Sequence, residues 1–381
     1  MSDIKIAHMQ VATSVGPDYK SENGNGPPPR LAFLTAMPRS VHRGSGCSVG
    51  IHTLATGIAA SGGRVEIIRP ALRSGSFLID RYVYNQALRF RRVWNHDAIV
   101  GFDLDGFAMT GGVRVPRIAS IKGVLGDAVA FERGSSRATM ALQARWEAEH
   151  ARNADLVITI STYCKSRLQE LYGVRGPVAV VPELIDLETW NRLFRENQAS
   201  RRDDHFTVLC VCRFYPRKRV SVLLRAANIL RSQIPGLRIR IVGGGPEAAS
   251  LHRLCRELRL DGIVTWVGEA PRHELAREYN RADLFCLPSV QEGFGIVFLE
   301  AMAAGKPIVA TRSAAIPEVV KHGILVEPEK AGALAEGIYR LWADPQLRSN
   351  IQKLQREDVE QYEMGRVAQR FLREVGKVTS Q

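Results

Sequence analysis

Two carboxylates, Glu292 and Glu300, stand eight residues apart in residues 282–311, ADLFCLPSVQEGFGIVFLEAMAAGKPIVAT. Carboxylates accept hydrogen bonds from hydroxyl groups, and the glycines between them let backbone amides approach a ligand closely. The segment predicts a buried strand at 283–289, a loop at 292–295, and a helix over 296–304 closed by Gly305. The next strand follows at 307–311. Glu292, the backbone of Gly293, Phe294 and Gly295, and the helix start at Ile296 and Val297 thereby gather at the C-terminal end of a strand. Open α/β sheets bind ligands there, and helix N-termini favour anions. Glu300 falls about two turns into the helix, so both carboxylates can face one pocket. The bland alternative makes Glu292 a solvated loop residue of an ordinary crossover.

A second constellation supplies positive charge. The strand FTVLCVC (206–212) runs into Arg213-Phe-Tyr-Pro-Arg-Lys218 and then a helix over 220–230. Arginine offers phosphate oxygens a planar fork of donors, and lysine a point charge. A diphosphate is the ligand that such a pair suits. Without a ligand, the same corner is only a basic strand–helix junction.

Taken together, Glu292-x7-Glu300 with GFG between, the following LEAMAAGKPIVAT and Ile316-Pro-Glu-Val, and Arg213-x4-Lys218 resemble the donor signature of retaining family-4 glycosyltransferases. The resemblance implies the GT-B architecture: α/β, with two Rossmann-like doubly wound domains facing each other across a cleft. It implies transfer of a sugar from a nucleotide diphosphate, UDP-sugar ahead of GDP-mannose, to a hydroxyl. The acceptor would be a glycan or lipid-linked molecule in cell-surface glycan or glycolipid synthesis. Arg213, Lys218 and Glu292 become the catalytic set. Gly46, Lys122, Val267, Gly293, Phe294, Gly295, Ile296, Val297 and Glu300 become donor-binding residues, with Glu300 on the ribose. Asp103 and Asp105 match DxD literally, but their place after the run 98–102 points to the acceptor side. No metal and no cofactor beyond the nucleotide-sugar co-substrate is implied. Two departures stand out: Arg219 replaces the family's usual glycine, and Lys122 replaces a usual histidine. Lys122 is either a donor-site cation or a loop lysine facing solvent. A non-catalytic sugar-nucleotide-binding scaffold and a sugar-nucleotide epimerase are the other readings.

The elements must repeat to build two such domains. NADLVITIS (153–161) and RADLFCLPS (281–289) echo each other once per half. The expected organisation is a flexible leader at 1–29 with a stray strand at 5–9, an acceptor domain at 30–195, and a donor domain at 200–358. A C-terminal helix within 360–381 packs back on the first domain. The polar stretch 191–205 is the expected switch between halves. In the first half, a strand at 30–37, the loop 44–50 with Gly44, Ser45 and Gly46, and a helix from 51 form a βαβ start. The spacing of these glycines is not GxGxxG, so the dinucleotide fingerprint fails. Gly243, Gly244 and Gly245 read as turn geometry.

Six cysteines in 381 residues form neither a metal pattern nor a disulfide framework. The absence of an 18-residue apolar run or a signal-like start points to a cytoplasmic protein. A net charge of +13 demands an anionic partner. No nucleic-acid-binding signature is present, so nucleic acid is not expected. The segment around Arg81, Arg89, Arg91 and Arg92, with Tyr82, Tyr84, Phe90 and Trp94, suits an interfacial helix on an anionic membrane surface, placing the protein peripherally on its inner face. An ordinary helix with a solvated basic face is the competing reading.

Overall fold

Short apolar runs alternate with helices along the chain, and each run becomes a strand. The computed structural model describes residues 6–10, 29–37, 46–70, 74–91, 95–109, 115–198 and 205–379. Two compact units emerge, Met1–Leu184 with Met364–Gln381, and Ile185–Glu363.

The first unit contains strands β1 (Ile6–Gln10), β2 (Arg30–Leu34), β3 (Arg64–Pro70), β4 (Ala98–Phe102), β5 (Arg117–Ile121), β6 (Leu156–Thr159) and β7 (Val178–Val180). Their order is β1-β3-β2-β4-β5-β6-β7, parallel throughout except for β1, which runs antiparallel to β3. Helices α1 (Gly46–Ala60), α2 (Phe77–Phe90), α3 (Leu125–Ala128), α4 (Gly134–Asn153) and α5 (Thr162–Tyr172) connect them. The pleat sorts β2 by alternation. Leu31 and Phe33 join a core with Ile51, Leu54 and Ile58 of α1, while Ala32 and Leu34 join one with Tyr84 and Leu88 of α2. A parallel strand covered on both faces therefore has no polar side.

The second unit begins with α6 (Leu187–Glu196). It continues as β8 (Phe206–Val211), α7 (Val220–Leu230), β9 (Leu237–Val242), α8 (Ala248–Glu257), β10 (Val264–Gly268) and α9 (Arg272–Arg281). After β11 (Leu284–Leu287) come α10 (Ile296–Ala303), β12 (Ile308–Thr311), α11 (Ile316–Val319) and β13 (Ile324–Val326). The unit closes with α12 (Ala331–Ala343) and α13 (Pro345–Val359). Its six strands are all parallel, in the order β10-β9-β8-β11-β12-β13.

The chain then returns to the first unit as α14 (Met364–Thr379), whose Val367, Ala368, Phe371, Leu372 and Val375 form one buried stripe. Phe371 meets the edge of Phe33 at 6.2 Å. A Cβ on Gly57 of α1 would lie 2.7 Å from Met364, so glycine is what lets the two helices touch.

Three expectations need correction. The unit boundary falls at Leu184–Ile185, not within 191–205, while the return at Met364 lies inside the expected 360–381. Tertiary contact decides this: Trp190 of α6 packs on Tyr279, and Asn280 Nδ2 donates to the carbonyls of Phe194 and Asn197 at 2.8 and 3.1 Å. The stray strand of the leader is β1, and it is not stray: it hydrogen-bonds to β3, while 11–28 lie outside the described residues.

Third, Asp105 is not an acceptor-side group. It is fully buried and accepts from Arg81 Nε at 2.8 Å, Asn85 Nδ2 at 3.1 Å and the Ala36 amide at 2.8 Å. Arg81, expected on a lipid-facing surface, is its 2 % exposed counter-ion. Arg92 and Trp94 lie outside the described residues. Arg81→Ser would strand a buried carboxylate and should cost about 3–5 kcal/mol in urea unfolding. Arg89→Ser, at an exposed position of the same helix, should stay within about 0.5 kcal/mol. Equal effects would remove the distinction drawn between the two arginines.

Candidate functional site

The strand order of the second unit reverses at β8. Strands β9 and β10 lie on one side of it, and β11, β12 and β13 on the other. Loops leaving the C-terminal ends of β8 and β11 must therefore diverge, which opens the crevice where such sheets bind ligands. Arg213 and Lys218 come from the first loop, and Glu292 to Gly295 from the second. The Val290 amide donates to the Arg217 carbonyl at 2.9 Å, tying the loops together.

Lys218 Nζ lies 2.5 Å from Glu292 Oε1, which also accepts from Ser289 Oγ at 2.8 Å. The Glu292 and Lys218 side chains are only 9 % and 14 % exposed, so the pair is largely withdrawn from water. The loop is held from behind. Thr311 Oγ1 donates to the Ser289 carbonyl, Ser313 Oγ to that of Val290 at 2.6 Å, and the Ala315 amide to that of Glu292 at 3.2 Å. Arg213 is half-exposed and pairs with Glu269, which follows β10. Arg219 takes φ +49°, the left-handed conformation a glycine would adopt more readily. Its Nη1 donates to the Pro216 carbonyl at 3.1 Å, and its Nε lies 2.9 Å from Glu329 Oε1, an ion pair not aligned as a hydrogen bond. The local turn survives the departure from glycine.

Gly295 has φ +90° and caps α10, and an added Cβ would sit 2.6 Å from the Phe298 ring. Phe294 is buried against the edge of Tyr362 at 5.5 Å, so it shapes the loop from its inner side. Ile296 and Val297 open α10, both half-buried. Glu300 is buried in the same helix, and burial pushes its carboxyl up to about 7 against the lowering effects of a Tyr279 hydrogen bond and of Arg272. Val267 occupies a register break between β10 and β9, where Trp266 and Gly268 pair with successive residues. The glycine turn is structural: a Cβ on Gly243 would lie 1.9 Å from the Cys212 carbonyl oxygen, and one on Gly245 2.7 Å from the Phe214 amide.

The remaining candidates belong to the first unit. Lys122 follows β5, and its Nζ lies 3.2 Å from Glu183 Oε2, with side chains 5 % and 3 % exposed. It is neither solvated nor unpaired. Glu183, raised by burial, is a partner that sequence reasoning missed, since nothing in VPEL (181–184) marks it. Gly46 begins α1, five residues earlier than expected, with Gly44 and Ser45 outside the described residues. A Cβ on Gly50 would meet Glu183 Oε2 at 2.7 Å, so glycine lets the first turn approach that carboxylate. Asp103, at φ +54°, accepts from the Lys122 amide at 2.9 Å and from Cys47 Sγ at 3.3 Å. Burial raises both Asp103 and Cys47.

Comparison with known proteins follows the same division. The family described as "Glycosyltransferase Family 4" matches residues 44–189, and "Glycosyl transferases group 1" matches 192–358. A GDP-mannose-dependent alpha-(1-6)-phosphatidylinositol monomannoside mannosyltransferase of Mycolicibacterium smegmatis is 32% identical over 207 residues, 51% of this chain and 54% of that protein. A putative colanic acid biosynthesis glycosyltransferase, WcaL, of Escherichia coli is 33% identical over 222 residues, 55% of this chain and 53% of that one. The chain thus spans about half the length of the curated relatives it matches. In fold, sucrose-phosphate synthase from Thermosynechococcus elongatus superposes with a TM-score of 0.77 at 22% identity, covering 92% of this chain and 99% of that one.

Gly295→Ala tests the loop geometry. A methyl group there forces a left-handed alanine against Phe298, which is fully buried. The variant should lose about 1–3 kcal/mol in denaturant unfolding. Wild-type stability would mean that the loop relaxes freely, contrary to the packing described.

Proposed function

We propose, from the premise that the chain belongs to the family-4 glycosyltransferases of GT-B fold, that it moves a hexosyl unit from a nucleoside-diphosphate sugar to a hydroxyl acceptor with retention of configuration. The observation that carries this reading is the Lys218–Glu292 pair at the reversal of the strand order. A cation for a diphosphate and a carboxylate for sugar hydroxyls meet there on two loops tied to each other, the second held from behind. Arg213, five residues before Lys218, brings the second cation.

In this reading Arg213 and Lys218 take the charge that develops on the diphosphate as its bond to the anomeric carbon breaks. Fixed donors aimed at developing charge are among the largest contributions to catalysis. Glu292 and the backbone of Gly293, Phe294 and Gly295 hold the sugar, with Ile296 and Val297 continuing that wall. Glu300 takes the ribose, and Val267, at the register break, lies toward the base. The acceptor oxygen forms its bond to the anomeric carbon on the face the diphosphate leaves, and its proton passes to a departing phosphate oxygen. No step uses a metal or further cofactor. In the first unit, Gly46 stays a candidate phosphate contact and Asp103 a candidate acceptor contact. Lys122 would have to exchange Glu183 for substrate to take part.

GDP-mannose is the donor best supported, because the mycolicibacterial relative is named as dependent on it. UDP-sugars are the comparators. The names of the same relative and of the colanic acid protein favour a lipid-linked or polysaccharide acceptor at a cell envelope.

Arg213→Ala and Lys218→Ala should each slow release of nucleoside diphosphate from GDP-mannose or UDP-glucose by roughly 10² or more, the loss typical of one charge-stabilising donor. Thermal stability should change little for Arg213→Ala, whose side chain is half-exposed. Unchanged turnover in both variants would defeat the transferase reading. A sugar-nucleotide scaffold would instead bind the donor without releasing product.

A membrane role keeps Tyr82, Arg89 and Phe90 of the expected residues, loses buried Arg81 and Tyr84, and gains Ile79. Ile79, Tyr82 and Phe90 are 55%, 44% and 74% exposed, beside exposed Arg89. Apolar side chains at headgroup depth with a neighbouring arginine suit an anionic lipid surface and a peripheral cytoplasmic location. Sedimentation with anionic vesicles should pellet the wild type at low salt. A Tyr82→Ser, Arg89→Ser, Phe90→Ser triple variant, which spares buried Arg81, should stay in solution. Equal pelleting would return this face to plain solvated surface.

A further inference from the structure

Tyr279 of α9 is fully buried among aromatic rings, with Trp190 at 6.1 Å, Phe194 at 6.3 Å and Phe285 at 6.0 Å. Packing alone would be served by phenylalanine. Its hydroxyl instead reaches α10, 3.0 Å from Glu300 Oε2 and 3.3 Å from the Val297 carbonyl oxygen. Glu300 Oε1 has no bonding partner among the described residues, and the residue keeps 8 % of its surface exposed.

We propose that Tyr279 is a positioning residue for the donor site: its hydroxyl holds one oxygen of Glu300 and leaves the other turned to ligand. This rests on the reading of Glu300 as the ribose contact.

A phenol has one proton, so two acceptors define two states. With Glu300 ionised, Tyr279 donates to Oε2. With Glu300 protonated on Oε2, the acid donates to the phenol oxygen, and the phenol turns its own proton to the Val297 carbonyl. Each arrangement keeps the phenol bonded to Glu300, so the carboxyl changes charge without changing place. Because burial has brought Glu300 up to about 7, both states are populated near neutrality. The other charged groups nearby are few. Arg272 of α9 acts on Glu300, and Cys210 of β8 on Tyr279. Lys306 and Arg356 sit at the far end of α10, on the Ala282 carbonyl and beside Gly305.

Ribose hydroxyls donate to a carboxylate more strongly than to a carboxylic acid. Donor affinity should therefore fall as pH drops through about 7, by roughly tenfold if one charge-assisted bond is lost. Tyr279→Phe removes the donor that favours the carboxylate. Its midpoint should move to higher pH, with affinity returning toward wild type in more alkaline solution. A purely structural tyrosine would lower affinity at every pH alike. Glu300→Gln should bind weakly with a flat profile.

The probes are GDP-mannose and UDP-glucose, whose diphosphate diesters do not titrate in this range, followed by calorimetry across pH. Unfolding of the ligand-free proteins supplies an independent arm. A carboxyl raised on folding contributes stability that is present below its ordinary value and lost as pH rises through the folded value. That decline should extend to higher pH in Tyr279→Phe and vanish in Glu300→Gln. An unmoved affinity midpoint in Tyr279→Phe, with Glu300→Gln weakened, overturns the positioning role alone. Full affinity in Glu300→Gln, or no binding of either probe, overturns the donor-site reading and this proposal together.

Discussion

A carboxylate withdrawn from water must find replacements for its hydration, and much of this protein is organised around meeting that demand. Glu292 is answered by Lys218 and Ser289, Asp105 by Arg81, Asn85 and a backbone amide, and Glu183 by Lys122. Glu147 accepts the Leu125 amide and the Tyr172 hydroxyl, at 2.8 and 2.6 Å, and burial still pushes it up to about 8. Each solution joins segments distant in sequence, because local side chains rarely supply enough donors to a buried charge. The buried pairs are therefore costly to break singly, whatever their net contribution to stability.

The same demand separates structural charge from usable charge. Arg81 is committed to a residue with no exposure, so its charge is spent inside the fold. Lys218 and Arg213 are held by carboxylates on loops beside the reversal of strand order, where the proposed diphosphate would compete for them. Arg213 and Glu269 are both nearly half-exposed, and such a pair holds weakly in water. Counting basic residues along the chain cannot make this distinction.

Backbone geometry supplies the other half of the arrangement. The reversal of strand order at β8 opens space between two loops. Gly243 and Gly245 let the β9 turn press against the first loop, and Gly295 lets α10 begin directly after the second. A single methyl group at any of these positions would collide with backbone or with a buried ring. The glycines thus act through what they allow to approach them, more than through flexibility.

What the sequence determined by itself was local: strands as short apolar runs, the helix ended by Gly305, and the two motif blocks whose residue types suit a diphosphate and a sugar. Those features depend on near neighbours, so they can be read along one dimension. The tertiary structure alone decided which charges survive at the surface. Arg81 and Arg89 look alike in sequence, yet one faces Asp105 and the other solvent. Asp105 read as an acceptor-side group and is an internal counter-ion, and Lys122, read as a donor-site cation or a solvated lysine, is bound to Glu183. The unit boundary moved for the same reason, because α6 follows its aromatic contacts with Tyr279 rather than its place in the chain. Ion pairing, burial and aromatic packing join residues tens of positions apart, and only the folded chain says which of them meet.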